Sequence, residues 1–211
     1  DKLSFNKYSH YKNNSYLIES SGINTDDYLL KNNFNENKKI ILAGRLLKDK
    51  GIDEYIKLSN NFNSQNVTFY LAGDLDKGNP NSLTQKELED LKKISSLNYL
   101  GYIDLQKEIH NYDLLLSLSD HEGFSRVLLE AIYVGLFVVA YENNGTEYIN
   151  NFENTILLNS KDIKYLENKI NEFLNEKISI SSQNRKQISK HYSTQYIASQ
   201  FAKIYNEKSA D

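Results

Sequence analysis

Runs of strand length that are apolar almost throughout constrain this chain more than any other feature. Residues 40–43, 67–72, 113–118 and 137–140 carry such runs, and they do not alternate with polar residues. A strand with one wet face alternates, whereas a strand covered on both faces stays apolar throughout. Segments with helical spacing separate the runs. Residues 51–61 place Ile52, Tyr55, Ile56 and Leu58 on one face. Ser82 or Thr84 is placed to cap a helix that runs to about Ser95, and 106–111 reads as a short helix. Residues 97–100 form a brief strand ending at Gly101, and 156–158 supply a sixth. Residues 162–207 read as helical throughout, in three segments. Strand, loop and helix in repetition predict an α/β fold: a doubly wound, mostly parallel, Rossmann-like sheet with a helical C-terminal tail.

Such sheets bind ligands beyond the carboxyl ends of their strands. Gly44, Gly73, Gly101 and the 120–123 loop all fall at those ends, so they are expected on one edge. Length allows one well-packed domain at 211 residues. A formal charge of −3 disfavours a nucleic-acid-binding surface. With no Cys there is no disulfide framework, thiolate metal site or cysteine nucleophile. No run reaches membrane-spanning length and no signal peptide is visible, so a soluble cytoplasmic protein is expected. Met is absent even at position 1, which suggests a chain cut from something longer. Asn66-Val67-Thr68 and Asn144-Gly145-Thr146 match the N-glycosylation pattern, as chance allows in a chain so rich in Asn.

Residues 1–37 are polar, with a short strand expected at 16–19, a turn at Ser21-Gly22 and a linker at 32–37. The rest of the chemistry lies at the strand ends. Arg45 and Lys50 occupy the loop between Gly44 and Gly51, and both suit phosphate oxygens. This loop is neither a dinucleotide fingerprint nor a P-loop. Alone it reads as a solvated basic loop. Glu122 and Glu130 stand eight residues apart, the first in a loop and the second on the helix that follows. A helix N-terminus near Ser125 favours an anion, and the carboxylates are acceptors for hydroxyl groups. A ligand with both phosphate and hydroxyls is foremost a nucleotide sugar. Asp74 and Asp76 form an Asp-x-Asp that lacks calcium-loop spacing and reads as a polar turn. His10, His110, His121 and His191 show no ligand spacing.

Together these residues resemble the C-terminal half of the retaining glycosyltransferases of family 4, which have the GT-B fold. The matching pieces are Ala43-Gly44-Arg45 with Lys50-Gly51, Leu71-Ala72-Gly73 and Tyr99-Leu100-Gly101-Tyr102. Glu122-Gly123-Phe124, Leu129-Glu130-Ala131, residues 135–140 and Gly145-Thr146-Glu147 follow in order. Residues 18–24 look like the family's closing strand before the interdomain linker. The resemblance implies catalytic roles for Arg45 and Lys50 on the leaving diphosphate and for Glu122 at the donor sugar. It implies that Glu130 binds ribose. Gly44, Gly73, Gly123, Phe124 and Ser125 would meet phosphate and sugar, and backbone at Tyr102 and Ile103 would meet the base. No metal or other cofactor is implied.

The resemblance divides the chain into residues 1–37, a linker left from a missing N-terminal acceptor domain, and 38–211, a nucleotide-sugar-binding domain. The intact enzyme would move a hexose or N-acetylhexosamine, from UDP most often, to a glycan or lipid-linked acceptor held by the missing domain. Peripheral association of that enzyme with a membrane is compatible with this, and the isolated chain is expected to transfer poorly. A UDP-sugar epimerase half and a non-catalytic sugar-nucleotide-binding module are the alternatives. Two departures stand out: Phe137 where the family usually has Pro, and Asp74 in place of a second glycine.

Overall fold

The computed structural model describes residues 16–18, 20–62 and 66–208. Its strands are β1 (Lys38–Ala43), β2 (Val67–Ala72), β3 (Leu97–Gly101), β4 (Leu114–Ser117), β5 (Phe137–Tyr141) and β6 (Thr155–Leu158). All pair in parallel in a six-stranded sheet of order β3-β2-β1-β4-β5-β6. The helices are α1 (Ile52–Asn61), α2 (Gln85–Leu91), α3 (Leu105–Glu108), α4 (Arg126–Val134), α5 (Ile163–Asn175), α6 (Ser182–His191) and α7 (Thr194–Lys208). This is the doubly wound order in which the chain reverses direction between β1 and β4.

Because strand side chains alternate between faces, each apolar run feeds two cores. Ile40, Leu42, Phe69, Leu71, Leu114, Leu116 and Val139 meet Tyr55 and Leu58 of α1, Leu88 of α2, and Leu166, Ile170 and Phe173 of α5. Ile41, Ala72, Leu115, Val138 and Ala140 meet Leu128, Leu129 and Ile132 of α4 and Ile188 of α6. Burial on both faces is the physical reason these strands read as continuous rather than alternating.

Several sequence expectations need correction. Residues 16–18 form no strand, and Glu19 lies outside the described residues. The pairing falls instead at Ile23, in a single parallel bridge to Ser193. Thr84, not Ser82, caps α2. Its side chain accepts the Glu87 N–H, and the Glu87 carboxylate accepts the Thr84 N–H. That helix stops at Leu91 rather than near Ser95. Its end tightens through three-residue bonds from Lys93 to Asp90 and from Ile94 to Leu91. Phe137 continues β5 where proline would not, since its N–H donates to the Asp113 carbonyl at 2.9 Å.

The polar segment before β1 lies on the domain. Lys31 and Asp113 form an ion pair at 2.9 Å with side chains 4% and 0% exposed. The Asp113 carboxylate also accepts the backbone N–H of Asn35 and of Lys39 and the Asn35 amide, each at 2.8–2.9 Å. Farther along, Lys31 N–H donates to the Val134 carbonyl at 3.0 Å.

Candidate functional site

At the switch point the loops after β1 and β4 part, and they leave a cleft of about 700 Å³. Its walls include Gly44, Arg45, Lys50, Gly73, Tyr102, Ile103, Glu122, Phe124, Ser125 and Glu130. The sequence placed these residues at strand ends, with Glu130 on the helix that follows, and the structure brings them to one opening. Gly123 is exposed in the same loop but does not line it. His121 is exposed and also lies outside the lining.

The loop after β1 is held by the loop after β2. Gly44 N–H bonds the Ala72 carbonyl, and Leu46 N–H bonds that of Asp74, both at 3.0 Å. Gly73 is what allows this closeness. Its φ is +151°, and a Cβ there would lie 1.8 Å from the Gly44 oxygen. The same approach puts Arg45 against Asp76, at 2.7 Å between Nη1 and Oδ2. The Asn79 amide first, then Arg45, holds the Asp76 carboxyl below the usual carboxylate range. The Asp-x-Asp is therefore a turn that anchors a cation. Among the described residues, no three His, Cys, Asp or Glu side chains group as metal ligands.

Lys50 ends a short 3-10 turn (Lys48–Lys50) and reaches across the opening to Glu122, Nζ to Oε1 2.7 Å. Both side chains are largely covered, 17% and 21% exposed, whereas Arg45 is 65% exposed. A cation and an acid thus face each other in the cleft, partly shielded from solvent. Such pairs in low-dielectric surroundings act more strongly than those at the surface.

α4 begins at Arg126, and Ser125, itself buried, offers no side-chain cap. The first turn of the helix, at Arg126 and Val127, lines the cleft. Its orphan N–H groups and dipole make that end receptive to an anion. Glu130, one turn on, is 8% exposed as a residue. Burial raises its pKa, and the nearby Tyr28 hydroxyl and Arg126 guanidinium counter that. The Arg126 guanidinium lies 3.0 Å from its Oε1.

Sequence reasoning missed the support beneath this loop. Tyr148 donates to the Ser125 carbonyl at 2.6 Å and stacks on Phe124 with ring centroids 4.4 Å apart. Asn143 donates to the Ser119 carbonyl at 3.1 Å, and Ser125 N–H bonds Gly145 at 3.3 Å. Gly145 allows the crossing, since a Cβ there would lie 2.4 Å from the Glu122 carbonyl oxygen. Gly145→Ala should therefore push Glu122 off Lys50. About tenfold weaker binding of nucleotide in calorimetry is expected, an effect of roughly 1.4 kcal/mol. Unchanged binding would show that the crossing does not position Glu122. The Arg126–Glu130 pair carried a readable signal, four-residue helical spacing. Tyr28 and Tyr148 carried none.

Residues 24–193 match the family described as “Glycosyl transferases group 1”. Over 203 residues the chain is 25% identical to the capsular polysaccharide biosynthesis glycosyltransferase CapM of Staphylococcus aureus, covering 89% of this chain and 53% of that one. It is 27% identical over 161 residues to the UDP-N-acetylglucosamine–peptide N-acetylglucosaminyltransferase GtfA subunit of Streptococcus gordonii, covering 74% and 31%. The fold matches sucrose-phosphate synthase from Thermosynechococcus elongatus with a TM-score of 0.82 at 20% identity, over 99% of this chain and 56% of that one. The chain thus spans about half of the first relative's length and about a third of the second's. Among the described residues no helix is long and apolar enough to cross a membrane.

Proposed function

The chain belongs to the group 1 glycosyl transferases, and on that premise we propose that its cleft holds a nucleoside-diphosphate sugar as the donor for retaining glycosyl transfer. The observation that carries this reading is the meeting of Arg45, Lys50, Glu122 and Glu130 in one cleft at the switch point. The diphosphate lies between the uncapped start of α4 and the two cations. Glu130 accepts bonds from ribose hydroxyls, and Glu122, oriented by Lys50, reads the donor sugar. Backbone at Tyr102 and Ile103 meets the base, and the glycine-bearing edges at Gly44 and Gly73 let backbone approach the phosphates.

In transfer, the bond from the anomeric carbon to the phosphate oxygen breaks as a bond to the acceptor hydroxyl forms on the same face. The acceptor proton passes to the leaving phosphate, and Arg45 and Lys50 stabilise the negative charge that builds there. The two side-chain cations supply this charge with no metal in the proposal. Arg45 is free to do so at small cost: its side chain is 65% exposed, and ion pairs at the surface contribute only about 0–1 kcal/mol. UDP is the proposed nucleotide, consistent with the donor in the name of the Streptococcus relative. A hexose or N-acetylhexosamine is the proposed cargo, and a glycan or lipid-linked hydroxyl the acceptor. We assign the acceptor site to a further domain of the intact enzyme, with 1–37 as the connection and family 4 as the subgroup.

A calorimetric panel of UDP, GDP and ADP with their sugar conjugates tests this on the protein itself. UDP and a UDP-sugar should bind at micromolar to high-micromolar Kd, with GDP and ADP at least tenfold weaker. A chain that bound no nucleoside diphosphate would contradict the reading.

A further inference from the structure

We propose that Tyr148, which lies outside the cleft lining, is a positioning residue for the donor: by holding the Ser125 carbonyl it aims the Arg126 N–H at the diphosphate. This rests on the diphosphate position given above, and it adds a residue from the segment after β5. The Tyr148 hydroxyl donates to the Ser125 carbonyl at 2.6 Å, toward the short end of the range for such bonds. A trans peptide is planar, so the N–H of one residue points opposite to the carbonyl of the residue before it. With the Ser125 carbonyl drawn toward Tyr148, the Arg126 N–H turns the other way, and Arg126 and Val127 are where α4 meets the cleft. That N–H belongs to the first turn of α4, so it has no partner within the helix. The N–H of Ser125 itself is already committed to the Gly145 carbonyl at 3.3 Å. The backbone donors that this end offers an anion therefore begin at Arg126.

Tyr148 can hold that aim because it is itself held. It lies in a 3-10 turn (Glu147–Asn151). Just before the turn, the buried Thr146 hydroxyl donates to the Tyr141 carbonyl at 2.8 Å, which ties the segment to the end of β5. The Tyr148 ring stacks on Phe124 with planes only 16° apart. Tyr192, just past the end of α6, has its ring centroid 6.2 Å from each of the two, and Phe152 meets Tyr148 edge-on at 6.4 Å. Ring and hydroxyl thus grip consecutive residues, Phe124 by its side chain and Ser125 by its backbone. Both of those residues line the cleft. Burial raises the Tyr148 pKa well above that of an ordinary phenol, so the hydroxyl keeps the proton it donates.

Tyr148→Phe keeps the ring stack and removes only the hydroxyl. In calorimetry it should weaken UDP binding about threefold to tenfold, the scale of one lost hydrogen bond. Uridine carries no phosphate, and by NMR titration its affinity should stay within about twofold of that of the unsubstituted protein. In the unsubstituted protein, UDP and inorganic pyrophosphate should each shift the Arg126 amide, and uridine should leave it in place. Tyr148→Phe should move that amide in the free protein and shrink its response to UDP. Equal losses of UDP and uridine binding would show that Tyr148 only supports the cleft wall, and would overturn the assignment. So would an unchanged UDP affinity, or an Arg126 amide that bound UDP leaves unmoved in the unsubstituted protein. That last reading needs no variant, so it stands even if Tyr148→Phe folds poorly. Failure of the unsubstituted protein to bind UDP is a different result: it refutes the donor reading, and the role of Tyr148 goes with it.

Discussion

Replacing Asp113 with Ala should lower the stability of the protein by about 3–5 kcal/mol, the range seen when one partner of a buried ion pair is removed. The side chain is fully covered and serves four donors at once: Lys31 Nζ, two backbone N–H groups and the Asn35 amide. Among the described residues, its loss leaves the Lys31 ammonium the His110 carbonyl at 3.5 Å and the face of the Phe34 ring, 5.9 Å from its centroid. It also strips the N–H groups that set the start of β1. Lys31→Met should cost less, because Asp113 then keeps its three N–H donors and the methionine stem fills similar space. Urea unfolding compares the two. In thermal melts the Asp113→Ala shift should reach roughly 6–20 °C for a protein of this size. A larger loss from Lys31→Met than from Asp113→Ala would mean that the charge pair, rather than the N–H bonds, holds the segment.

Lys50→Ala should weaken UDP binding about thirtyfold to a hundredfold, roughly 2–3 kcal/mol. Two effects add. The cation that would meet the diphosphate is gone, and charge-assisted bonds of this kind contribute about 1.5–3 kcal/mol. Glu122 is also left half-covered without its partner and turns like charge toward the phosphates. Arg45→Ala should cost less, about fivefold to tenfold, because Arg45 is 65% exposed and solvent already weakens its field. Salt separates the two cations as well. The Arg45 contribution should fade between about 0.05 and 0.5 M salt, while that of the more covered Lys50 persists. Calorimetry well below the melting point separates loss of binding from loss of fold. Equal, small effects from both substitutions would mean that the cations lie beside the phosphates rather than on them.

The sheet was legible because its strands are covered on both faces, so burial wrote itself into local composition. Strand ends were legible for a related reason: Gly44, Gly73 and Gly101 mark where backbones must turn or approach. Glu122 and Glu130 could be paired because one loop and one helix turn fix their separation. Lys31 and Asp113 could not be paired, since they meet across 82 positions of sequence and each looks like an ordinary charge beside a polar stretch. The same applies to the segment around Lys31, which is laid along α4 by its N–H bond to the Val134 carbonyl and by Arg185, neither of which leaves a periodic trace. The end of α2 was misplaced because a tightened last turn keeps the helical spacing of its residues while breaking the helical bond pattern. Residues 16–18 read as a strand because their composition is apolar, yet a strand also needs a neighbour to pair with.

Backbone amide NMR during titration with UDP, and then with a UDP-sugar, examines the central claim most directly. Saturable shifts should gather at 44–50, 73–76, 102–103 and 122–130, with the sugar adding its largest new shifts around Glu122. Shifts confined to the outer helices α5 and α7, or none at saturating nucleotide, would contradict a donor site at the switch point.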